Sequence, residues 1–408
     1  MSGTTSFSVP HARDLVKDLF HHRPVVYWTD FLVTISIGYS AAVVYFNARL
    51  FSPLQVASLF ITGFALFRLG SFIHEIVHFR GKEMRSFVIG WNILAGIPLL
   101  SPSFFYGNHI GHHSTRHYGT GQDGEYLPLG SGVLREILYF YLQVLVLPVA
   151  ILFRFLIVTP ISFMHPGVRK WALERYSSFV INIRYRHEIP PNAPRAAWAA
   201  LEFCCFLRAA AMVGFWATGL VPVTRLPLIY VLAVLTLGLN YVRNLVAHRY
   251  ESDGRPMSHV DQLQDSINLE GTPVLTELFF PVGLRYHALH HLFPTLPYHH
   301  LGAAHRRLLA ALPAGSSYHQ TVVPGFWTAA KDVVRKAWIR QRRPSAGLHA
   351  GRAAEWYARR TILHEGRRDT NNAPVVLDRP QTDVAESALA DLDSRGTNRL
   401  NRAVEVTS

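Results

Sequence analysis

The chain has 408 residues, of which 49% are hydrophobic and only 16% are charged. Soluble domains carry about 25% charged residues, so this composition argues against an ordinary soluble protein and favours a membrane protein. The net charge at pH 7 is +13, yet we expect no nucleic-acid binding, because many of the basic residues lie in two stretches. Seventeen Lys and Arg lie in 301–408 and six in 165–198, which by the positive-inside rule places both stretches and both termini in the cytoplasm.

Six apolar runs follow one another along the chain, at 31–46, 50–69, 87–106, 137–163, 201–221 and 227–246. A helix of about 20 apolar residues can span a bilayer, so each run is a candidate span; the alternative is a large soluble helical enzyme. The expected organisation is a cytoplasmic N-terminal segment at 1–30, a membrane domain with a cytoplasmic cap at 31–324, and a basic, partly disordered cytoplasmic C-terminal region at 325–408.

The 22 histidines are not scattered. Three boxes, "HEIVH", "HIGHH" and "HALHH", and the element "NLVAH" contain polar residues three or four positions apart, and residues at this spacing share one face of a helix. Neutral imidazole is a good ligand for Fe, Zn, Cu and Ni, and nine histidines are too many for one tetrahedral zinc ion. The pattern therefore predicts two metal ions, held by His74, His78, His109, His112, His113, His248, His287, His290 and His291.

The first box on its own also fits a zinc protease, in which His74 and His78 bind zinc and Glu75 is the general base. Such a site needs one further protein ligand and leaves six well-spaced histidines unexplained, so a larger centre is the better interpretation. A metal carrier is a further alternative, but it would distribute its histidines along the membrane normal, whereas a single centre needs them at one face.

The three boxes in this order, the stretches "HALHHLFPTLPYHHL" and "HHSTRHYGTGQDGEYLP", and the element "NLVAH" resemble the membrane-bound fatty acid desaturase family over about residues 31–324. The resemblance implies that the nine histidines bind two iron ions, that Asn244 holds a water on one metal, and that O2 is a co-substrate. Members of the family remove two hydrogens from a lipid or acyl chain to give a double bond, whereas oxygen rebound would give an alcohol. We therefore expect a lipid desaturase, with an alkyl-chain hydroxylase and a zinc intramembrane protease as alternatives.

Ligand histidines usually donate their second ring N–H to a nearby acceptor. The candidates for this supporting role are Glu75, His117, Asp123, Glu125, Asp261 and Asp265.

His299 and His300 follow the third box, where we expect a structural or head-group-binding role. "HPGV" at His165 lacks the second glycine of a haem-binding H-P-G-G motif, so electrons are expected from a separate donor of the ferredoxin or cytochrome b5 type. The basic stretch between Arg169 and Arg195 is a candidate landing site for this donor by charge complementarity, and positive-inside topology or contact with anionic lipid explains the same charges equally well.

One metal centre requires every box at the same membrane face. Only 31 residues separate His78 from His109, which is too few for two crossings and a turn, so the run 87–106 is predicted to be re-entrant or interfacial. The crossings between the second box and "NLVAH" must be even in number, and the run 137–163, which prolines and an arginine interrupt, is predicted to be interfacial or re-entrant. The predicted fold is an all-α membrane protein with four transmembrane helices and a cytoplasmic helical cap that holds a histidine-rich di-metal site.

Overall fold

The computed structural model describes residues 7–127, 134–181, 185–252 and 254–342. The chain beyond 342, for which the sequence predicts disorder, lies outside the described residues. The described residues are mainly helical. In chain order the α-helices are α1 (Val9–Val16), α2 (Pro24–Asn47), α3 (Pro53–Ile76), α4 (Arg85–Trp91), α5 (His109–His112), α6 (Leu134–Phe153), α7 (Thr159–Met164), α8 (Pro166–Tyr176), α9 (Arg195–Ala217), α10 (Leu226–Leu245), α11 (His259–Asp265), α12 (Pro273–Phe279), α13 (His287–Leu292), α14 (Tyr298–Ala311) and α15 (Phe326–Arg342).

Within the described chain, five helical stretches are long and apolar enough to cross a membrane. They are Pro24–Asn47, Pro53–Ile76, Ile137–Met164, Arg195–Ala217 and Val223–Leu245. The third comprises α6, a π-helical turn and α7. The apolar run 87–106 is not among them, because α4, a π-helical turn at Asn92–Gly96 and a 3-10 helix at Ser103–Tyr106 divide it into short pieces. That division agrees with the expectation that this run does not cross, whereas the number of four spans stays a prediction.

Close packing of α3 against α10 brings the first box towards "NLVAH". Gly63 on α3 permits this approach, since a Cβ there would lie 2.6 Å from Cδ2 of Leu235 on α10. His74 lies in the last turn of α3 and Asn244 in the last turn of α10. At the opposite end of α10, the Tyr45 hydroxyl of α2 donates a hydrogen bond to the Leu228 carbonyl at 3.0 Å. The packing of α3 against α10 therefore directs the C-terminal ends of both helices to the histidine-rich region.

The helices around the third box form a separate core. Helices α1, α11, α13 and α14 share a hydrophobic cluster that includes Val16, Leu263, Leu289, Leu301 and Leu308. Beside it, a two-residue parallel ladder pairs Asn268 with Val322 and Leu269 with Val323, so the fold is not strictly all-α. The buried Asn268 side chain accepts from the Leu289 N–H at 3.1 Å, which fixes α13 against the ladder.

A buried charged network lies at the π-helical turn of the third long apolar helix. Arg154 donates hydrogen bonds to the Tyr176 carbonyl (3.0 Å) and to Ser177 Oγ (2.8 Å), and it pairs with Glu202 of α9. The second carboxylate oxygen of Glu202 pairs with Arg169. A buried charge is tolerated when it is paired and hydrogen-bonded, and this network meets that requirement.

We expect Glu202→Gln to lower the free energy of unfolding by about 3–5 kcal/mol, because breaking a buried ion pair leaves an uncompensated charge. Thermal unfolding of the detergent-purified protein measures the effect. The matched control is Glu251→Gln, which removes a carboxylate that is 47% exposed and paired with Lys336; a surface pair contributes about 0–1 kcal/mol. Equal melting temperatures for the two variants would contradict a stabilising role for the network.

Candidate metal centre

The nine predicted ligands converge from four parts of the fold. His74 and His78 lie at the end of α3 and just beyond it, the second box begins with α5, His248 follows α10, and the third box forms the first turns of α13. Eight of the nine side chains are at most 8% exposed, and His113 is partly buried. Histidines that are far apart in the sequence therefore meet inside the protein.

These histidines form two groups of four. In each group, one ring nitrogen per residue lies within 4.8 Å of the others. The first group is His74, His78, His109 and His290, and the second is His112, His248, His287 and His291. The second and third boxes each contribute histidines to both groups. Each group therefore depends on three separate parts of the chain.

His113 is the ninth histidine and lies at the boundary between the groups. Its Nε2 is 2.9 Å from His109 Nε2 and 3.0 Å from His290 Nε2, both in the first group. Its ring centroid is 4.2 Å from that of His291, in the second group. The structure thus brings all nine predicted histidines together.

The spacing between ring nitrogens fits metal ligation. In the second group, His248 Nε2 is 3.1 Å from His112 Nε2 and 3.0 Å from His287 Nε2. When two nitrogens each lie about 2.1 Å from one metal ion and the angle between the two nitrogen–metal bonds is a right angle, the nitrogens are about 3 Å apart. The distances between these nitrogens are therefore those expected for ligands of a common ion.

Several buried ring nitrogens have no hydrogen-bond partner within the described residues. They include both nitrogens of His74, both of His291 and Nε2 of His78. Buried polar atoms are nearly always hydrogen-bonded, so these nitrogens indicate a group that the protein chain does not supply. A donor set of imidazole nitrogens suits iron. The residues present therefore fit the two iron ions that the family resemblance implies.

Burial keeps most of these imidazoles neutral, which is the form in which histidine binds metals. It lowers the pKa of His78 to about 3 and holds the pKa values of His290 and His291 well below the ordinary value. His112 differs. Burial opposes its charged form, but the Asp123 carboxylate, together with Glu125 and Asp265, outweighs burial and raises the pKa of His112.

Two carboxylates from the loop after the second box orient histidine rings. Asp123 accepts a hydrogen bond from His112 Nδ1 at 2.9 Å, and Glu125 accepts one from His109 Nδ1 at 3.0 Å. Glu125 also accepts from the Tyr106 hydroxyl at 2.8 Å, and burial raises the pKa of Glu125 to about 7. With Nδ1 protonated and hydrogen-bonded, each ring keeps Nε2 for a metal. Both carboxylates are among the candidates from the sequence.

Asp265, another candidate, supports His248 through a tyrosine. Its Oδ2 accepts hydrogen bonds from the Tyr118 and Tyr126 hydroxyls, each at 2.8 Å. The Tyr118 oxygen is also 2.8 Å from His248 Nδ1, and Ser266 Oγ is 3.2 Å from the same nitrogen. Because Tyr118 gives its hydrogen to Asp265, it accepts the His248 N–H. Sequence analysis missed Tyr118, Tyr126 and Ser266, since their spacing does not distinguish them from core residues.

Asp261 and Glu75 have other roles than the predicted support of a ligand ring. Asp261 is exposed at the start of α11, where it accepts from the Ser258 N–H (3.1 Å) and hydroxyl (2.6 Å) and caps the helix. Glu75 is buried and accepts from the Tyr27 hydroxyl (2.7 Å) and the Tyr298 N–H (3.0 Å). Glu75 thus connects the first box to the start of α14, just after the third box.

The remaining candidate histidines lie outside both metal groups. His117 is partly buried beside α5, where a Cβ on Gly111 would lie 3.5 Å from its Nδ1. The His299 ring packs edge-on against Tyr27 at 5.5 Å, and the His300 ring lies 4.8 Å from that of His21. Both therefore contact the N-terminal segment of the chain.

Asn244 lines a small cavity beside the second group, together with Arg243, Tyr106 and the rings of His248 and His287. This position suits the predicted role of Asn244 in holding a metal-bound water, which stays a prediction. Sequence analysis missed Arg243, which is 5% exposed and brings a buried positive charge to the same cavity.

Sequence comparison identifies the family in which this histidine arrangement occurs. The family model for fatty acid desaturases matches residues 51–322, a range that contains all nine histidines. The chain belongs to the fatty acid desaturase family. A ceramide hydroxylase from Caulobacter vibrioides (strain NA1000 / CB15N) is 35% identical over 336 residues, which are 82% of this chain and 95% of that relative.

Membership of the fatty acid desaturase family confirms the family resemblance that the histidine boxes show. Together with the five long apolar helices, it makes the chain a multi-pass integral membrane protein. It also makes the chain an oxidoreductase of the desaturase and hydroxylase type. Because a relative of this similarity is named as a hydroxylase, membership alone does not distinguish desaturation from hydroxylation.

Proposed function

We propose that this desaturase-family member is a membrane-bound, O2-dependent lipid hydroxylase that acts on an alkyl chain of a ceramide or a related sphingolipid. The observation that carries the proposal is the similarity to a ceramide hydroxylase over 95% of that relative's length. The two histidine groups support it, because they fit the iron pair that such a reaction uses. Lipid desaturation at the same centre is the second candidate, and the family description favours it.

The two reactions use the same reagents and differ in product. Hydroxylation is R–H + O2 + 2 e⁻ + 2 H⁺ → R–OH + H2O. Desaturation is R–CH2–CH2–R′ + O2 + 2 e⁻ + 2 H⁺ → R–CH=CH–R′ + 2 H2O. The iron pair, when bound, supplies the activation of O2 that an unactivated C–H bond requires.

The chain's own residues hold and shield this centre. The nine imidazoles supply the ligand nitrogens, and Asp123 and Glu125 fix the orientation of the His112 and His109 rings. Burial of the rings keeps bulk water away, which limits side reactions of a strong oxidant. Asn244 and Arg243 present polar groups to the cavity beside the second group, where we propose that Asn244 holds a metal-bound water.

We also propose that a separate protein of the ferredoxin or cytochrome b5 type delivers the electrons. The predicted landing site between Arg169 and Arg195 is partly neutralised, because Arg169 pairs with Glu202 and Arg186 with Glu174. The remaining excess of Lys and Arg in 165–198 supports docking of an acidic donor through charge complementarity.

For the membrane topology, we propose four spans with both metal groups at the cytoplasmic face. The second box and His248 adjoin one centre, so the chain between them crosses the membrane an even number of times. Three long apolar helices lie in that interval, and one of them therefore does not cross. The positive-inside distribution of Lys and Arg supports the cytoplasmic side for the cap and both termini.

The helix Ile137–Met164 is the one that we propose does not cross. Near its start, the Phe140 ring stacks on Tyr241 at 4.3 Å, three residues before Asn244. Further along, the Phe155 ring stacks on Phe105 at 5.4 Å, directly before Tyr106 of the metal centre. These two contacts with segments next to the metal centre support a path along the membrane face, whereas the Tyr230 hydroxyl, near the start of α10, donates to the Leu145 carbonyl between them (2.8 Å).

Lipid analysis tests the proposed reaction. We expect a host of known lipid composition that makes this chain, supplied with ceramide and an electron donor, to contain a new lipid heavier by one oxygen. We expect His291→Ala, which removes a ligand of the second group, to make none. Liquid chromatography with mass spectrometry measures both lipids.

The control for this experiment is His259→Ala, since His259 is exposed at the start of α11. This variant is expected to make the new lipid at the wild-type level. A wild-type product lighter by two hydrogens would overturn hydroxylation in favour of desaturation. The absence of any new lipid, with iron bound and donor present, would contradict both reactions on this substrate class.

A further inference from the structure

Two tyrosines lie beside the second metal group. The Tyr118 ring contacts three of its histidines, with centroid distances of 5.1 Å to His112, 5.6 Å to His248 and 5.3 Å to His291. The Tyr126 ring packs against Tyr118 at 5.3 Å. Tyr118 is 0% and Tyr126 4% exposed. The pair is therefore shielded from water and in direct contact with the site.

Orientation of the His248 ring requires only one of these two tyrosines. Tyr118, with Ser266 beside it, already accepts the His248 N–H, yet the Tyr126 hydroxyl donates to the same Asp265 oxygen as Tyr118, each at 2.8 Å. A phenol that loses one electron also releases its proton, so a buried phenol is oxidised readily only when a proton acceptor lies within hydrogen-bond distance. Asp265, an acceptor when ionised, serves both rings.

We propose that Tyr118 and Tyr126 form a redox-active pair that donates one electron to the oxidised iron pair when no substrate C–H bond is within reach. The inference rests on the proposed function for the iron and O2 chemistry. The step is Tyr–OH + Asp–COO⁻ → Tyr–O• + Asp–COOH + e⁻, in which Asp265 takes the proton and the oxidised iron pair takes the electron. This transfer removes an oxidising equivalent that would otherwise attack the ligand imidazoles.

The pair also extends from the metal group towards the surface beside α15. The Tyr250 ring lies 5.2 Å from Tyr126. The next residue, Glu251, is 47% exposed and pairs with Lys336 of α15, and Arg249 lines a groove against the same helix. A one-electron donor at this surface returns the electron to the tyrosine, and Asp265 returns the proton.

Electron paramagnetic resonance of the whole, iron-loaded protein tests the pair. The protein is reduced chemically, mixed with O2 without lipid substrate and frozen at increasing times. We expect a free-radical signal whose hyperfine pattern changes when the protein contains ring-deuterated tyrosine. We expect the signal to be lost in Tyr118→Phe. In Tyr126→Phe we expect a longer-lived radical, because Tyr118 cannot pass the oxidation on.

Tyr141→Phe is the control, because Tyr141 lies in the same hydrophobic cluster outside the pair, and the signal is expected to persist unchanged. Bound iron is measured in every variant. If Tyr118→Phe loses iron, the test is the decay rate of the radical signal in Tyr126→Phe. A decay rate equal to that of the wild type overturns the proposal. Absence of a radical in iron-loaded wild type that oxidises lipid overturns the proposal and leaves the proposed function standing. Absence of bound iron in the wild type overturns both.

Discussion

Alanine in place of His290 is expected to abolish product formation and to remove iron from the first metal group. The His290 ring centroid is 4.1 Å from that of His74 and 4.7 Å from that of His78, and its Nε2 is 3.0 Å from His113 Nε2. Its loss therefore removes the ligand that links the first and third boxes. Plasma emission spectrometry of the purified protein is expected to show a fall from about two iron ions per chain to about one or fewer, since the metal and the site assemble together.

The control separates loss of a ligand from loss of a histidine as such. His259→Ala changes an exposed residue at the start of α11, and both iron content and product are expected to match the wild type. Full iron and normal product in His290→Ala would contradict its assignment as a ligand. One zinc ion and no iron in the wild type would favour the zinc protease that the first box also allows.

The clustering of the histidines was predictable from sequence because their spacing follows from helix geometry. Histidines three or four residues apart share a helix face, and each box therefore presents its rings together wherever it lies in the fold. The division into two groups was not predictable. His109 and His112 belong to different groups, and only the packing of α3, α5 and α13 determines which rings from other boxes each of them meets.

The supporting residues were harder to predict, because their role depends on partners that are remote in sequence. Asp123 and Asp261 are both acidic residues near a box, yet Asp123 faces His112 and Asp261 caps a helix. Asp265 reaches His248 only through Tyr118. A tyrosine in an aromatic-rich chain gives no sequence signal that distinguishes such a link from ordinary packing.

The long apolar helices were predictable from composition, with one ambiguity. Apolar content identifies a segment that can enter lipid, but it does not determine whether the segment crosses. The run 137–163 contains Arg154, whose charge is satisfied by Glu202 on α9 and by Tyr176 and Ser177 at the end of α8. A sequence shows the arginine but not these partners, so apolar content alone does not determine the path of this helix.

We expect Asp123→Asn to weaken iron binding or activity about 10–100-fold, the usual cost of removing an acceptor that supports a ligand histidine. Asp123 accepts the His112 N–H, and its two oxygens also accept the Glu125 N–H (2.9 Å) and the Gly119 N–H (3.0 Å). An amide NH2 at this position faces one of these donors, so the ring of His112 loses its fixed orientation. Titration of the metal-free protein with Fe(II), followed by the lipid assay, measures the effect.

Asp261→Asn is the matched control, because it makes the same chemical change at a carboxylate that the sequence alone could not tell apart from Asp123. Its carboxylate caps α11 through Ser258, and the loss of capping free energy is expected to stay within about 1 kcal/mol. Iron affinity should then equal that of the wild type. Equal iron affinities in the two variants would mean that the Asp123–His112 hydrogen bond does not orient a ligand. A large loss in Asp261→Asn would mean that α11 affects the metal centre through Asp265 at its other end.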